Sequence, residues 1–335
     1  MNAVVLYGPG DVRLSEFPTP TLLPGTVKVA VAYCGICGSD FHKVAGKQNT
    51  HPIHYPVPLG HEISGYIAEL GEGVTGFQVG DPVTVDPNWS CGKCYYCQQG
   101  MPSFCEHARG VVKGMAEYVV SPVENVYHLP AGLDMRTAAL AEPLACCLHG
   151  MDQLDVKQGE TVALVGMGAI GTIMLQLIKN AGAGEIVVLE TNEAKKELAF
   201  ELGATHFVSP ADQEAVSNLT AKLHIRKVLE CVGIKPAQKT ALAVAGKGAT
   251  VVMFGVSDAA DELPVSLYDA FTKELTIKTS FVNPYTTQRA VNLLNSGLLN
   301  PEKIICKELS MEEAIEEFHH PVYSRMGKVL VRIHP

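Results

Sequence analysis

The sequence predicts an α/β protein of two domains, one β-rich and one doubly wound around a parallel sheet. Its 335 residues exceed what one ordinary hydrophobic core organises. The first part is cut by prolines and glycines into short strands. Beyond Ala138, continuous apolar runs alternate with helical patterns, as parallel strands covered on both faces require.

Composition narrows the function before any motif does. With 47% hydrophobic and 18% charged residues the chain is of ordinary globular type. A formal charge of -9 argues against nucleic acid or an anionic membrane as partner, since both need concentrated Lys and Arg, and favours a small-molecule substrate. Met1 to Pro9 lacks a basic segment followed by an apolar run, so no signal peptide is expected. No apolar run is long enough to span a bilayer. The expected location is the cytoplasm, where ten cysteines serve as metal ligands and core residues rather than disulfide staples.

Pro18, Pro20, Pro24 and Gly25 break the first segment into strands and turns, after which Val27, Val29, Val31 and Tyr33 alternate on one face of a strand. That strand delivers Cys37 into a turn rich in glycine (Gly35, Gly38). Cys37-Gly38-Ser39-Asp40-Phe41-His42, followed by Gly60-His61-Glu62, offers a thiolate, an imidazole and a carboxylate, the mixed set that zinc accepts while keeping a position open for substrate. Each residue alone reads as a core cysteine or a surface histidine; the later motifs raise the metal reading above that. Ile63 to Leu70 is a further strand with Gly71-Glu72-Gly73 as its turn, and Gly80-Asp81-Pro82 precedes Val83-Thr84-Val85. This part contains no long helix.

Cys91-Gly92-Lys93-Cys94-Tyr95-Tyr96-Cys97, closed by Cys105, can wrap a tetrahedral ion in a lobe spanning about 86–108 and would leave it no open position. The rival is redox use of one Cys-x-x-Cys pair. A structural zinc would fold a lobe with little apolar content of its own. Cys34, Cys146, Cys147, Cys231 and Cys306 read as small core residues.

Ala138 to Gly150 reads as a helix holding Glu142-Pro143-Leu144, and Thr161 to Val165 as a central parallel strand. Gly166-Met167-Gly168-Ala169-Ile170-Gly171 follows at once, then a helix with Ile170, Met174, Leu177 and Ile178 on one face. Glycines there permit a tight turn and the approach of a pyrophosphate to backbone N–H groups at a helix start. A second strand, Ile186 to Leu189, ends in Glu190, at the distance expected for an acid that binds an adenosine ribose. Helix Glu193 to Leu202, strand Lys227 to Glu230, helix Pro236 to Val244 and strand Ala249 to Phe254 continue the alternation, and Thr276 to Val282 extends the same sheet. Thr286 to Ser296 and Ser310 to Phe318 read as helices, and Lys328 to Ile333 as a last strand that rejoins the first domain.

In this order the motifs resemble the zinc-dependent medium-chain dehydrogenase family along essentially the whole chain, and within it the polyol branch similar to sorbitol dehydrogenase. The resemblance implies a GroES-like β-rich catalytic domain made of residues 1–145 together with 283–335, and a Rossmann nucleotide-binding domain over 146–282. It implies two zinc ions per subunit, one catalytic and one structural, with NAD as cofactor and a homodimer or homotetramer formed by pairing nucleotide-domain sheet edges. Cys37 and His61 would hold the catalytic zinc, with Glu62 as ligand or immediate neighbour. Glu142 takes the place where alcohol dehydrogenases carry a second cysteine, and would reach zinc directly or through water. Asp40 would orient the zinc-bound imidazole. Ser39 would take the proton of the bound alcohol and His42 pass it to solvent, against the plainer readings of a turn serine and a surface histidine; Glu62 is counted with them. Gly166, Gly168, Ile170 and Gly171 would hold the dinucleotide, with Glu190 and Lys195 beside the ribose.

The implied reaction is reversible transfer of a hydride between nicotinamide C4 and a secondary alcohol of a polyol, sugar or sugar acid, giving a ketone. Zinc acts as the Lewis acid, since it brings the pKa of bound water to about 7 and acts similarly on an alcohol. Two departures from the family pattern stand out. The segment between Cys105 and Ala116-Glu117-Tyr118 is short, and Glu190 stands where aspartate is usual. A glutamate still accepts two ribose hydroxyls and repels a 2'-phosphate, which favours NAD over NADP; Lys195 and Lys196 read mainly as a solvated helix face. Rival substrates are L-threonine, a vicinal diol or a simple secondary alcohol. Lys43, Lys47, His51 and His54 would suit a carboxylate or phosphate group. A non-catalytic NAD-binding zinc sensor is the rival of a different class, and a zinc-free quinone reductase relative a weaker one.

Overall fold

The computed structural model describes residues 1–47 and 52–334. Its contacts group the chain into two units, Met1–Ala145 with Val282–Gly297 and Ile305–Pro335, and Cys146–Phe281 with Leu298–Ile304. The second unit thus takes in Leu298–Ile304 as well as the central stretch: Asn180 Nδ2 donates to Leu298 O at 2.9 Å and Gln176 Oε1 accepts from Asn300 N at 2.7 Å.

The first unit is built on the strand Thr26–Gly35, whose alternation buries Val27, Val29 and Val31 completely and leaves Tyr33 half-buried. It pairs antiparallel with Glu62–Leu70, with Tyr118–Pro122 and with Lys328–Arg332, so both ends of the chain contribute to one seven-stranded sheet. Leu6, Ile63, Ile67 and Met115 pack against it with at most 1% exposure, each such apolar side chain contributing about 1.5–3 kcal/mol by leaving water. Register is what matters for function. Gly35 lies opposite both Glu62 and Leu330, so Cys37, His61 and Lys328 emerge at the same end of the sheet.

Gly38–Val44 is an α-helix, where a turn was expected. Cys37 takes the N-cap position in extended backbone, and Asp40 at the third helical position reaches back to accept the Cys37 N–H at 3.2 Å. The expected helix over 138–150 is two, Met135–Ala138 and Ala141–Leu154, with Glu142 and Pro143 in the first turn of the second, where a proline has no N–H to lose. A polar network binds the segment Val282–Gly297 to its unit: Thr287 Oγ1 donates to Asp86 Oδ2 at 2.9 Å, and Asn88 Nδ2 to Asn283 Oδ1 at 2.6 Å.

The second unit carries a six-stranded, all-parallel sheet in the order His206–Val208, Glu185–Leu189, Thr161–Val165, Lys227–Glu230, Thr250–Met253, Thr276–Thr279. The chain starts in the middle, runs to one edge, then returns and runs to the other. The order therefore reverses between Thr161–Val165 and Lys227–Glu230, the place where ligands bind open α/β sheets. Three elements escaped the sequence reading: the three-residue strand His206–Val208, the helix Gln213–Lys222, which buries no residue fully, and the helix Leu267–Lys273. The strand is too short to show a period, and the apolar residues of the two helices, Val216 with Leu219 and Leu267 with Phe271, are few and nowhere fully buried. The last strand stops at Thr279, and the expected helix over 193–202 begins as a 3₁₀ turn, Glu193–Lys195, before Lys196–Glu201.

Candidate active site

Cys37, His61 and Glu62 converge, their Sγ, ring nitrogen and carboxylate oxygen lying within 4.8 Å of one another. Donors bound about 2.0–2.3 Å from a tetrahedral ion sit about 3.3–3.8 Å apart, inside that limit. A sulfur, a nitrogen and an oxygen, with no fourth donor in the set among the described residues, fit a zinc ion that keeps a coordination position for substrate. Two further residues, Asp40 and Lys328, hold the donors in place.

Asp40 is fully buried. Its carboxylate accepts from the backbone N–H of Cys37 and of Gly60, and from Lys43 Nζ, each at 3.2 Å, and lies 3.8 Å from His61 Nδ1, near enough for attraction but beyond hydrogen bonding. Burial opposes its ionisation, but the Lys43 charge and the contact with His61 more than offset it and hold the carboxyl well below its usual range. Burial likewise opposes a charge on His61, yet the Cys37 sulfur and Asp40 raise its pKa well above the ordinary value. The same negative potential favours a divalent cation.

Lys328 is a site residue that the sequence reading missed. Its Nζ, 3.1 Å from the carbonyl of Ile36, donates to both oxygens of Glu62 at 2.7 Å, and both side chains are almost wholly buried. Burial works against its charge, but Glu62 and Cys37 raise its pKa far above the usual lysine range. Gly35 makes room for this pair. A Cβ there would overlap Glu62 Oε2 and stand 3.0 Å from its Cδ. The buried carboxyl of Glu142 lies outside the 4.8 Å set, near enough to respond to His61, Glu62 and Lys328; burial is the main cause of its rise to about 7.

Ser39 and His42 stand three residues apart on the helix Gly38–Val44, hence on one side of it, and both are partly exposed. Of the cations proposed for anion attraction, Lys43 is committed to Asp40, Lys47 and His54 are exposed, and His51 lies outside the described residues. Cys306 is exposed, contrary to its reading as a core residue, on a strand whose outer residues face solvent.

Cys91, Cys94, Cys97 and Cys105 form the second convergent group, again within 4.8 Å. The backbone N–H groups of Cys91 and His107 approach Cys105 Sγ, and that of Cys94 approaches Cys91 Sγ, all at 3.3 Å, as donors do around thiolates. Backbone N–H groups of Cys97 and Glu106 bring the Cys94 thiol down to about 6. At the base, Asn88–Trp89 pairs with Arg109–Gly110, Trp89 Nε1 donates to Glu124 at 2.9 Å, and the Arg109 guanidinium stacks 4.4 Å from the indole. Trp89 is the single tryptophan of the chain and so reports on this lobe. Loading zinc into metal-free protein should shift its emission, and replacing Cys94 and Cys97 together by serine should remove the shift; an emission indifferent to zinc in the wild type would refute the coupling.

In the second unit Gly166 takes φ +88, and a Cβ there would overlap Val232, while a Cβ on Gly171 would overlap the carbonyl of Gly166. Both glycines serve packing. Gly168, the N-cap of the helix Ala169–Asn180, is different, because a Cβ there would meet no protein atom, so packing within the chain does not require glycine there. Ile170 sits partly buried in the first turn of that helix. Glu190 follows the next strand, but its carboxylate braces the turn: Oε2 accepts from Met167 N at 2.7 Å, and Oε1 from Asn192 N at 2.9 Å and Thr191 Oγ1 at 3.1 Å. A carboxylate has about four lone-pair sites, so one remains for a ribose hydroxyl rather than the two expected. Burial opposes its charge, yet the N–H groups of Asn192 and Met167 and the ammonium of Lys195 lower its pKa. Lys195 is not part of a solvated face. Its Nζ donates to Met167 O at 2.9 Å, whereas Lys196 is exposed.

Comparison with known proteins agrees with both units. The family model described as alcohol dehydrogenase GroES-like domain matches residues 23–131, and that described as zinc-binding dehydrogenase matches residues 169–296. A sorbitol dehydrogenase of Halalkalibacterium halodurans is 35% identical over 335 residues, covering 97% of this chain and 96% of the relative. A 2-dehydro-3-deoxy-L-galactonate 5-dehydrogenase of Pseudoalteromonas atlantica is 35% identical over 289 residues, 84% of this chain and 83% of its own. Among solved structures, a zinc-binding dehydrogenase of Sinorhizobium meliloti bound to NADP superposes with a TM-score of 0.90 at 34% identity, covering 99% of this chain and 98% of that one.

Proposed function

The chain belongs to the zinc-dependent medium-chain alcohol dehydrogenase family, and from that premise we propose that it oxidises a secondary hydroxyl of a polyol, sugar or sugar acid to a ketone, reversibly, with NAD. The observation that carries the chemistry is the convergent sulfur, nitrogen and oxygen set of Cys37, His61 and Glu62. Zinc held there supplies the Lewis acidity that makes an alcohol acidic enough to release its proton at neutral pH. Cys37 and His61 would hold it, with Glu62 as third donor or immediate neighbour and Glu142 reaching it directly or through water, and Asp40 would orient the imidazole of His61. Ser39 accepts the alcohol proton, and His42, one turn further along the helix, passes it to solvent. A second zinc in the four-cysteine group is structural. Gly166, Gly168, Ile170 and Gly171 seat the dinucleotide pyrophosphate at the helix start, and Glu190 with Lys195 flanks the ribose.

NAD is favoured because the carboxylate of Glu190 repels a 2'-phosphate, although the neighbouring Lys195 softens that repulsion and a relative was solved with NADP. The decisive assay is reduced-cofactor formation at 340 nm from zinc-loaded protein with NAD or NADP, across polyols, aldonates, diols, threonine and simple secondary alcohols. Chelator-sensitive turnover on a polyol or sugar acid, faster with NAD, is expected. Turnover confined to threonine or simple alcohols would overturn the substrate class, and cofactor binding with no turnover would favour a sensor.

The same reading places the enzyme in the cytoplasm as a homo-oligomer. No helix among the described residues is long and apolar enough to cross a membrane. A second copy is expected against the open edge strand Thr276–Thr279 and the helix Leu267–Lys273, where Leu267, Tyr268 and Phe271 are 81%, 76% and 82% exposed. Sedimentation of the wild type as a monomer at micromolar concentration would rule this out.

A further inference from the structure

Glu230 is a buried acid that the proposed chemistry leaves unused. It ends the strand Lys227–Glu230, in register with Val165, directly below the point where the strand order reverses. The residue is 0% exposed. Its Oε1 accepts from the backbone N–H groups of Val232 at 2.7 Å and Gly233 at 2.8 Å, while Oε2 has no hydrogen-bond partner among the described residues. Sinking a carboxylate here and leaving one oxygen unsatisfied is costly, and an apolar residue would avoid that cost. The turn that Glu230 holds supplies a reason. Val232 presses on the glycine-rich turn, since a Cβ on Gly166 would overlap its side chain, and yet Val232 is 42% exposed on its other side. Behind it, Gly233 at φ +80 is packed so closely on Val256 that a Cβ would overlap the Val256 carbonyl.

Resting on the dinucleotide reading above, we propose that Glu230 is a positioning residue for the cofactor. Its carboxyl clamps the Val232–Gly233 turn and so sets the wall that faces the glycine-rich turn across the switch point. It touches neither substrate nor cofactor. What it contributes is two backbone donors turned inward and an apolar side chain held against Gly166.

The test is NADH affinity of the zinc-loaded full chain, read from NADH fluorescence, for the wild type, Glu230→Ala and Glu230→Gln. Losing an acceptor shared by two backbone donors should raise the dissociation constant about tenfold or more in Glu230→Ala. Glu230→Gln keeps an oxygen for both donors and should stay within about threefold of the wild type. In turnover the KM for NAD should rise while the alcohol KM at saturating NAD and the zinc content hold. A general structural role would instead move all three together. NADH binding by Glu230→Ala within about twofold of wild type, or equal weakening in both variants, would overturn the clamp. Should Glu230→Ala fail to fold, Glu230→Asp keeps the charge, withdraws the acceptor by one methylene and is expected to weaken NADH in the same way. A wild type that binds no dinucleotide would defeat the underlying reading along with the clamp, which distinguishes the two failures.

Discussion

His61→Ala is expected to lower kcat by a factor on the order of 10³ or more while leaving NADH binding unchanged. The size follows from what the imidazole does: it supplies one of the donors of a three-residue set, and Lewis-acid stabilisation worth several kcal/mol translates into a tenfold rate for each 1.4 kcal/mol or so. The sparing of NADH follows from the groups proposed to hold the dinucleotide, Gly166 to Gly171 with Glu190 and Lys195, which do not include His61. Zinc per chain should fall by about one ion rather than two, since Cys91, Cys94, Cys97 and Cys105 form a separate group. The variant also leaves the anion of Asp40 with one favourable neighbour fewer, so a modest drop in melting temperature should accompany the loss. Retention of more than about a tenth of wild-type turnover, with only the structural zinc bound, would refute the metal mechanism.

How much of this site the sequence could display depends on the range of the interactions. Cys91 to Cys105 and Gly166 to Gly171 were legible because their donors and turns lie within one short segment, where spacing alone constrains geometry. Thr161–Val165 was legible because a strand buried on both faces has to be apolar throughout. The helix Gly38–Val44 was not, since its cap is a cysteine and its decisive hydrogen bond is the one Asp40 accepts from the Cys37 N–H, while a linear reading assigns Asp40 to the metal's surroundings alone. For Glu190 and Lys195 the linear reading left out the bonds to Met167, which arise only when two strands lie side by side. Lys328 was invisible as a site residue: its partner is 266 positions away, and only the register of three strands brings them together. A signal did exist. A lysine heading an otherwise buried strand must find an anion, and Glu62 is itself at the head of a buried strand.

That pair yields the second large effect. Lys328→Met should cost about 3–5 kcal/mol of stability, because it leaves the carboxylate of Glu62 buried without its counter-ion. Lys328→Met with Glu62→Gln removes both charges and should recover much of that stability, since the penalty belongs to the uncompensated charge and not to the absence of the pair. Activity should separate from stability: the double variant folds, yet loses the carboxylate beside the metal and stays impaired. The wild-type pair also sets an alkaline limit. The folded pKa of Lys328 lies above its unfolded value near 10.5, so its contribution is complete below that pH and is lost as the pH rises through the folded value; Lys328→Met should lack this loss. Gly35→Ala attacks the same arrangement from the other side, displacing Glu62 by steric overlap without touching any charge, at a backbone angle an alanine accepts. It should reproduce the loss of activity with a smaller loss of stability, and Glu62→Asp, which withdraws the carboxylate from the added methyl, should relieve part of the strain. If Lys328→Met were as stable as wild type, or Gly35→Ala fully active, the position of Glu62 would not matter to the metal centre, and its carboxylate would have to be reassigned as a structural acid.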